Sequence, residues 1–419
     1  MLPKIEDYEQ FVGKEVIEKI KDLAVKLEDK HVVNVNSTYS GGGVAEILNS
    51  MVVLMNRLGI KTDWRLLKGT HSFFDVTKKF HNGLQGEKVS FTEKDKRIYL
   101  DELERNSLMH HFREHDLVFI HDPQPLGLIK FNVRKKQPWI WRGHLEINHA
   151  NKKVWSFLKD FAKQYDGAVF SMKKYLKRDL HIPQIIVPPS IDPLSMKNKK
   201  ISNSFAKKLI SKEGISLNKP IITQVSRFDK WKNPLGVIQI FKKVRAKIDA
   251  QLVLMGDMAS DDPEGPKIYS KVVKQAEKMK DVHIITNKDD LLVNALQSES
   301  HVVIQNSKRE GFGLVVTEAL WKGTPVVATK AGGIPLQVIP KKTGALIDNS
   351  TEASDWCVKL IKNDKLRERM GINAREHIRK NFLITRQLYD NLHIIDTYTT
   401  SVADDVIKAA RELKRMLIR

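Results

Sequence analysis

The chain has 419 residues, 41% of them hydrophobic with 7 Trp and 16 Phe, a scale and content that exclude disorder and favour two packed domains. No apolar run approaches the ~18 residues of a membrane span, the charged N-terminus has no signal-like apolar region, and a single cysteine, Cys357, excludes an intrachain disulfide, so a cytoplasmic protein is expected. The net charge of +21 favours phosphorylated or polyanionic partners, but the basic residues are scattered among acids, as in Lys365-Leu-Arg-Glu-Arg369, and no nucleic-acid-binding signature accompanies them.

Short β-rich runs alternate with helical patterns, which predicts α/β units with parallel sheets. In the first half, strands are predicted at 31–36, 117–121, 139–142, 167–171 and 185–188, with helices at 44–58, 99–113 and 154–164. The segment Pro188-Pro-Ser-Ile-Asp-Pro193 and the polar stretch 196–204 predict the crossing between domains. The second half repeats the scheme, with strands at 221–226, 252–256, 282–286, 301–305, 325–328 and 345–347. Its helices are predicted at 234–247, 267–279 and 314–322, the first opened by Pro234 after Asn233. The expected fold is two Rossmann-like doubly wound domains, residues 1–192 and 193–385, facing a central cleft where ligands bind beyond the carboxyl ends of the strands. The segment 402–417 spaces Val402, Val406, Ala409, Leu413 and Leu417 as a helix. Docking of 386–419 on the first domain is favoured over a membrane-surface helix, because large apolar residues are few.

Several strand ends carry chemistry. Asn36-Ser-Thr-Tyr-Ser-Gly-Gly-Gly43 opens a helix, and Gly42 and Gly43 allow backbone N–H groups to approach an oxyanion or sugar; a tight turn is the plainer reading. His121-Asp-Pro-Gln-Pro125 holds Asp122 and Gln124 at a strand end, where Asp122 can orient a hydroxyl or simply terminate the strand. Trp139-Ile-Trp-Arg-Gly-His144 brings Arg142 and His144 to another strand end, and His144 is selected by this company from the 14 His. Ser226-Arg-Phe-Asp-Lys-Trp-Lys232 supplies Arg227 and Lys232, able to neutralise a diphosphate or to serve as surface cations. Glu310-Gly-Phe-Gly-Leu-Val-Val-Thr-Glu318 joins two carboxylates to a glycine turn at a helix start. Phosphate-binding backbone beside hydroxyl-binding carboxylates suits a sugar nucleotide. Asp261-Asp262 and Asp289-Asp290 lack a neighbouring third ligand and read as loop acids rather than a metal site.

Taken together, Glu310 and Glu318, the basic pair Arg227 and Lys232, the loop at Gly41–Gly43 and the Arg142-to-His144 segment resemble those of retaining GT-B glycosyltransferases, the group that contains sucrose synthase. The segments from Phe73 to Gly86, His121 to Pro125, Pro188 to Pro193 and Gln224 to Asp229 are similar to those of trehalose glycosyltransferring synthases, and trehalose phosphorylases share much of this. Glu146 stands where the resemblance leads one to expect Asp. The resemblance implies the reversible formation of α,α-trehalose from NDP-glucose and glucose, with retention. Glu310 would contact donor-sugar hydroxyls and Glu318 the ribose. Backbone N–H groups of Gly311, Phe312, Gly313 and Leu314 would face the donor, joined by Gly42 and Gly43. Arg227 and Lys232 would stabilise the leaving diphosphate, and His144 would lie near the donor sugar. Asp122, Gln124, His81 and Asn82 are the acceptor candidates, and the stretch 286–290 is a candidate for the donor base. No tightly bound cofactor is expected, with Mg2+ as a stimulant and a homodimer as the family precedent. A phosphorylase, a transferase with another acceptor, a sugar-binding regulator without activity and a basic nucleic-acid- or membrane-binding protein are the alternatives.

Overall fold

The structure is a computed structural model that describes residues 2–39, 42–132, 136–256, 265–286 and 289–400. It contains two six-stranded sheets. The strands are β1 His31–Asn36, β2 Lys61–Leu66, β3 Leu117–His121, β4 Trp139–Gly143, β5 Gly167–Phe170, β6 Gln184–Ile186, β7 Ile221–Val225, β8 Gln251–Met255, β9 Val282–Ile285, β10 Val302–Gln305, β11 Val326–Thr329 and β12 Gly344–Ile347. The spatial orders are β2-β1-β3-β4-β5-β6 and β12-β11-β10-β7-β8-β9, with parallel pairing throughout. Both orders reverse about their first strand, so each sheet is a doubly wound fold with a switch-point crevice at its carboxyl edge.

The central strands read as continuous apolar runs because helices cover both faces. In β3 every residue of Leu-Val-Phe-Ile-His is buried. One face of the first sheet packs Val33, Val118 and Trp141 against the helices His71–Leu84, Glu93–Met109 and Lys152–Ala162. The other face packs Val32 and Phe119 against Lys14–Val25, Gly43–Arg57 and Ile384–Thr399. Cys357 is buried in the second unit's core, where loss of solvent pushes its thiol up to about 12.

Two expectations need correction. The helix expected at 99–113 runs Glu93–Met109, because Thr92 and Asp95 form a capping box six residues earlier, and Phe112–Glu114 is a separate 3-10 turn. Strand β2 was not anticipated. It is an edge strand, Lys-Thr-Asp-Trp-Arg-Leu, only one of whose residues is buried, so the apolar signal of a central strand is missing. The 402–417 helix and the Asp261-Asp262 pair lie outside the described residues, as do Gly41 and part of 286–290.

The chain passes between the two sheets twice, and the two crossings pair. Ile191 N–H donates to the Phe382 carbonyl at 2.9 Å, and Ile384 N–H donates back to the Ile191 carbonyl at 2.9 Å. The return crossing delivers the helix Ile384–Thr399 to the first sheet, where Leu388 and Leu392 are fully buried with Ile17, Ile20 and Leu54. Leu388→Ala should destabilise the protein by about 2–5 kcal/mol, measurable as a lowered urea midpoint.

Candidate functional site

The carboxyl ends of β3 and β4 meet first. Asp122 follows β3 with φ 66, a left-handed conformation that Asp tolerates better than most residues. That bend turns its carboxylate toward β4. Asp122 N–H donates to the Arg142 carbonyl at 2.9 Å, and its Oδ1 accepts from His144 N–H at 2.8 Å. Loss of solvent pushes the Asp122 carboxyl up to about 7, opposed by the His144 N–H and the Arg142 charge. The neighbouring imidazoles form a chain that the sequence did not suggest. His121 Nε2 lies 3.0 Å from Asn34 Oδ1, and His121 Nδ1 lies 3.0 Å from His144 Nε2. Burial, with Arg142 nearby, lowers His121 to about 3 and His144 well below its ordinary range, so both rings are neutral. The Asn34 oxygen then assigns N–H to His121 Nε2. His121 Nδ1 therefore accepts from His144 Nε2, which leaves the lone pair on His144 Nδ1. Arg142 itself points away: its guanidinium reaches the Val187 carbonyl at 3.2 Å and Asn391 at 3.5 Å, and burial lowers it to about 10.

The second wall is the turn between β10 and the helix Leu314–Trp321. Gly313 caps that helix at φ 88, a conformation that strains a side chain. None of the N–H groups of Gly311, Phe312, Gly313 or Leu314 donates a hydrogen bond to a described residue. Four backbone donors thus open toward a ligand at a helix N-terminus. Phe312 offers only its backbone, since its ring packs on Phe382 at 5.6 Å. Glu310 Oε2 accepts from Lys232 Nζ at 2.5 Å, Ser307 Oγ at 3.2 Å and Gln305 Nε2 at 3.3 Å. Its Oε1 has no hydrogen-bond partner among the described residues. Asp229 Oδ1 accepts from Trp231 and Lys232 N–H at 2.8 Å each, which holds the basic loop, while Arg227 sits at the rim, 3.5 Å from Asp229 Oδ2.

Glu318 is buried one turn further along. Its Oε2 accepts from Gln297 Nε2 at 3.3 Å, and its Oε1 lies 3.7 Å from Lys197 Nζ. Lys197 also reaches Glu46 Oε1 of the helix Gly43–Arg57 at 2.5 Å. Burial opposes the Lys197 charge, but Glu318 and Glu46 raise its pKa above the ordinary lysine range; Glu46 in turn is raised by burial and by Glu318.

The two walls touch. A Cβ on Gly311 would come within 2.5 Å of the His144 carbonyl, and one on Gly43 within 2.8 Å of Leu314 Cδ1. Tyr175 OH donates to the Gly311 carbonyl at 2.7 Å. Glu87, just past the helix bearing His81 and Asn82, pairs with Lys230 at 3.0 Å, and Arg309 lies 3.6 Å from Glu146. The structure therefore brings Glu310, Gly311, His144, Asp122 and Lys232 to one cleft, with Glu318 and Gly43 beside it. Asn82 Oδ1, Gln124 Oε1, Gln224 Oε1 and Gln305 Oε1 are buried acceptors without a donor among the described residues. Gln224, Gln297 and Gln305 were missed in the sequence because a glutamine inside an apolar strand or helix gives no periodic signal.

Comparison with known proteins follows from this geometry. A family profile described as "Trehalose synthase, N-terminal domain" matches residues 34–177, and one described as "Glycosyl transferases group 1" matches 205–377. The chain is 43% identical over 401 residues to a trehalose synthase of Thermococcus litoralis, covering 94% of this chain and 97% of that protein. This chain belongs to the trehalose synthase family. A trehalose phosphorylase of Pleurotus pulmonarius is 27% identical, matching 90% of this chain but 59% of that protein. Among solved structures, the sucrose-phosphate synthase of Thermosynechococcus elongatus superposes with a TM-score of 0.70 at 16% identity, covering 88% of this chain and 98% of that one, which shows the GT-B fold. Family membership makes the protein a glycosyltransferase of trehalose-related sugar transfer.

Asp122 gives this site a pH signature. Its folded pKa of about 7 lies above the ordinary carboxylate value near 3.9, so the folded state holds the proton more tightly. Relative to Asp122→Asn, the wild type should lose stability as pH rises from about 4 to 7 and level off above. Denaturant midpoints of the two proteins across that range check the sign.

Proposed function

We propose that this enzyme transfers glucose from NDP-glucose to free glucose, giving α,α-trehalose and NDP, reversibly and with retention at the donor carbon. The observation that carries the reading is the set of four unpaired N–H groups at Gly311–Leu314 beside the open Oε1 of Glu310. Backbone donors at a helix start suit the donor's phosphate, and a carboxylate oxygen suits its neutral hydroxyls.

In this reading Glu310 Oε1 accepts from donor-sugar hydroxyls, with Gly42 and Gly43 closing over the sugar. Lys232 swings from Glu310 to the diphosphate, joined by Arg227, where negative charge grows as the C1–O bond breaks. Glu318 exchanges its Lys197 contact for ribose hydroxyls. His144 lies against the donor sugar, its tautomer set by His121. Asp122, Gln124, His81 and Asn82 receive the acceptor, and the undonated amide oxygens of Asn82 and Gln124 fit hydroxyl donors. The acceptor hydroxyl oxygen bonds C1 on the face that the phosphate leaves, and its proton passes to a departing phosphate oxygen. No enzyme carboxylate is needed as nucleophile in this reading, because positioning and charge stabilisation carry the displacement while Glu310 Oε1 accepts from donor-sugar hydroxyls. Mg2+ would enter with the diphosphate as part of the substrate, and closure of the cleft would exclude water.

A second reading, phosphorolysis of trehalose, is favoured by the Pleurotus relative. The same cations and N–H groups would hold inorganic phosphate. Incubation with UDP-, ADP- or GDP-glucose and glucose, with products identified by NMR, should give a non-reducing α,α-disaccharide with one of them. Hydrolysis alone would sink the synthase reading; glucose 1-phosphate from trehalose and phosphate without nucleotide would establish phosphorolysis. Glu310→Gln should lower kcat about 10²-fold or more with an unchanged melting curve.

A further inference from the structure

A second cluster of chemistry lies at the opposite, amino-terminal edge of the first sheet. His31 opens β1, Asp63 lies in the edge strand β2, and His115 sits in the turn before β3. The turn is fixed to β1: Asp116 N–H donates to the His31 carbonyl at 2.7 Å, and His31 N–H donates to Asp116 Oδ2 at 2.7 Å. The strand β1 separates this edge from the cleft by five steps of ~3.3 Å, roughly 17 Å in all.

His31 Nε2 lies 3.2 Å and His115 Nε2 3.0 Å from the same oxygen, Asp63 Oδ2. One ligand atom from each residue falls within 4.8 Å of the others. In a tetrahedral site with bonds of about 2.0–2.1 Å, neighbouring ligand atoms are roughly 3.3 Å apart, so both nitrogen–oxygen edges have the separation that a metal centre needs. The hydrogen bonding points the same way. His115 Nδ1 lies 3.3 Å from the Phe112 carbonyl, the partner that places N–H on Nδ1 and the lone pair on Nε2. That lone pair and the carboxylate oxygen then face each other, two ligand atoms that a shared cation would join. His31 Nε2 is shut from solvent and makes no hydrogen bond among the described residues despite its proximity to the carboxylate. Arg65 supplies a cation beside the group, with Nη2 3.2 Å from Asp63 Oδ2 and 3.5 Å from His115 Nε2, while its Nη1 donates to the His111 carbonyl at 3.4 Å.

We propose that His31, Asp63 and His115 bind a divalent transition metal of the Zn2+ class, with Arg65 as the cation that competes for the position. Two imidazoles and one carboxylate are a ligand set that such ions prefer over Mg2+ or Ca2+. Asp63 reaches the site's partly exposed side, which leaves room for water as a further ligand. The metal would join β1, β2 and the turn before β3 and act on stability rather than on sugar transfer.

The test uses untagged full-length protein stripped with EDTA and titrated with ZnCl2 by calorimetry, alongside melting curves. The expected result is one Zn2+ per chain with a raised Tm. Asp63→Asn and His31→Ala, each confirmed folded by circular dichroism, should lose about tenfold or more in affinity. Arg65→Gln should bind at least as tightly as the wild type, an outcome that a purely electrostatic His–Asp–Arg cluster does not give. Absence of saturable binding in both the wild type and Arg65→Gln would overturn the proposal. So would binding left unchanged by Asp63→Asn and His31→Ala.

Discussion

The cleft depends on one contact between backbones. Gly311 lies so close to the His144 carbonyl that a methyl group would not fit, and the Tyr175 hydroxyl holds the Gly311 carbonyl from the same side. Through that contact the loop that ends β4 is registered against the turn that follows β10. Gly43 with Leu314, Glu87 with Lys230 and Arg309 with Glu146 also pair across the cleft in that registration. Glycine contributes here by having no side chain, and the surrounding side chains then carry the polarity of the site.

The polarity is arranged in two different ways on the two walls. The wall built from β1, β3 and β4 is buried and neutral, with imidazoles kept uncharged by loss of solvent and ordered by the Asn34 amide. The facing wall is charged, with Lys232 on Glu310 and Lys197 between Glu46 and Glu318. The buried carboxylates Glu310 and Glu318 of this wall thus each have a lysine beside them in the free protein. Neutral imidazoles stand on one side of the cleft and lysine–glutamate pairs on the other.

Much of this was legible in the sequence. The parallel sheets could be read because buried central strands such as Leu117–His121 are continuous apolar runs. That Glu310, Lys232 and His144 would meet in one cleft could be read because each follows a strand end, while Glu318 follows from its spacing to Glu310 in the same motif. Edge strand β2 escaped because its residues are polar and half-exposed. Asn34 and His121 escaped because their roles depend on pairing between β1, β3 and β4, far apart in the chain. Arg142 was visible, but its direction was not: the helix Ile384–Thr399 that it faces arrives some 240 residues later.

The two crossings of the chain are hydrogen-bonded to each other through Ile191, Phe382 and Ile384. Separate linkers would let the two sheets slide, tilt and twist independently. A paired crossing acts as the spine of a book. A rotation of one sheet against the other about that spine would part the pairs that span the cleft, such as Lys230 with Glu87. The two sheets are thus held to each other at two separate places, the paired crossings and the Gly311–His144 contact.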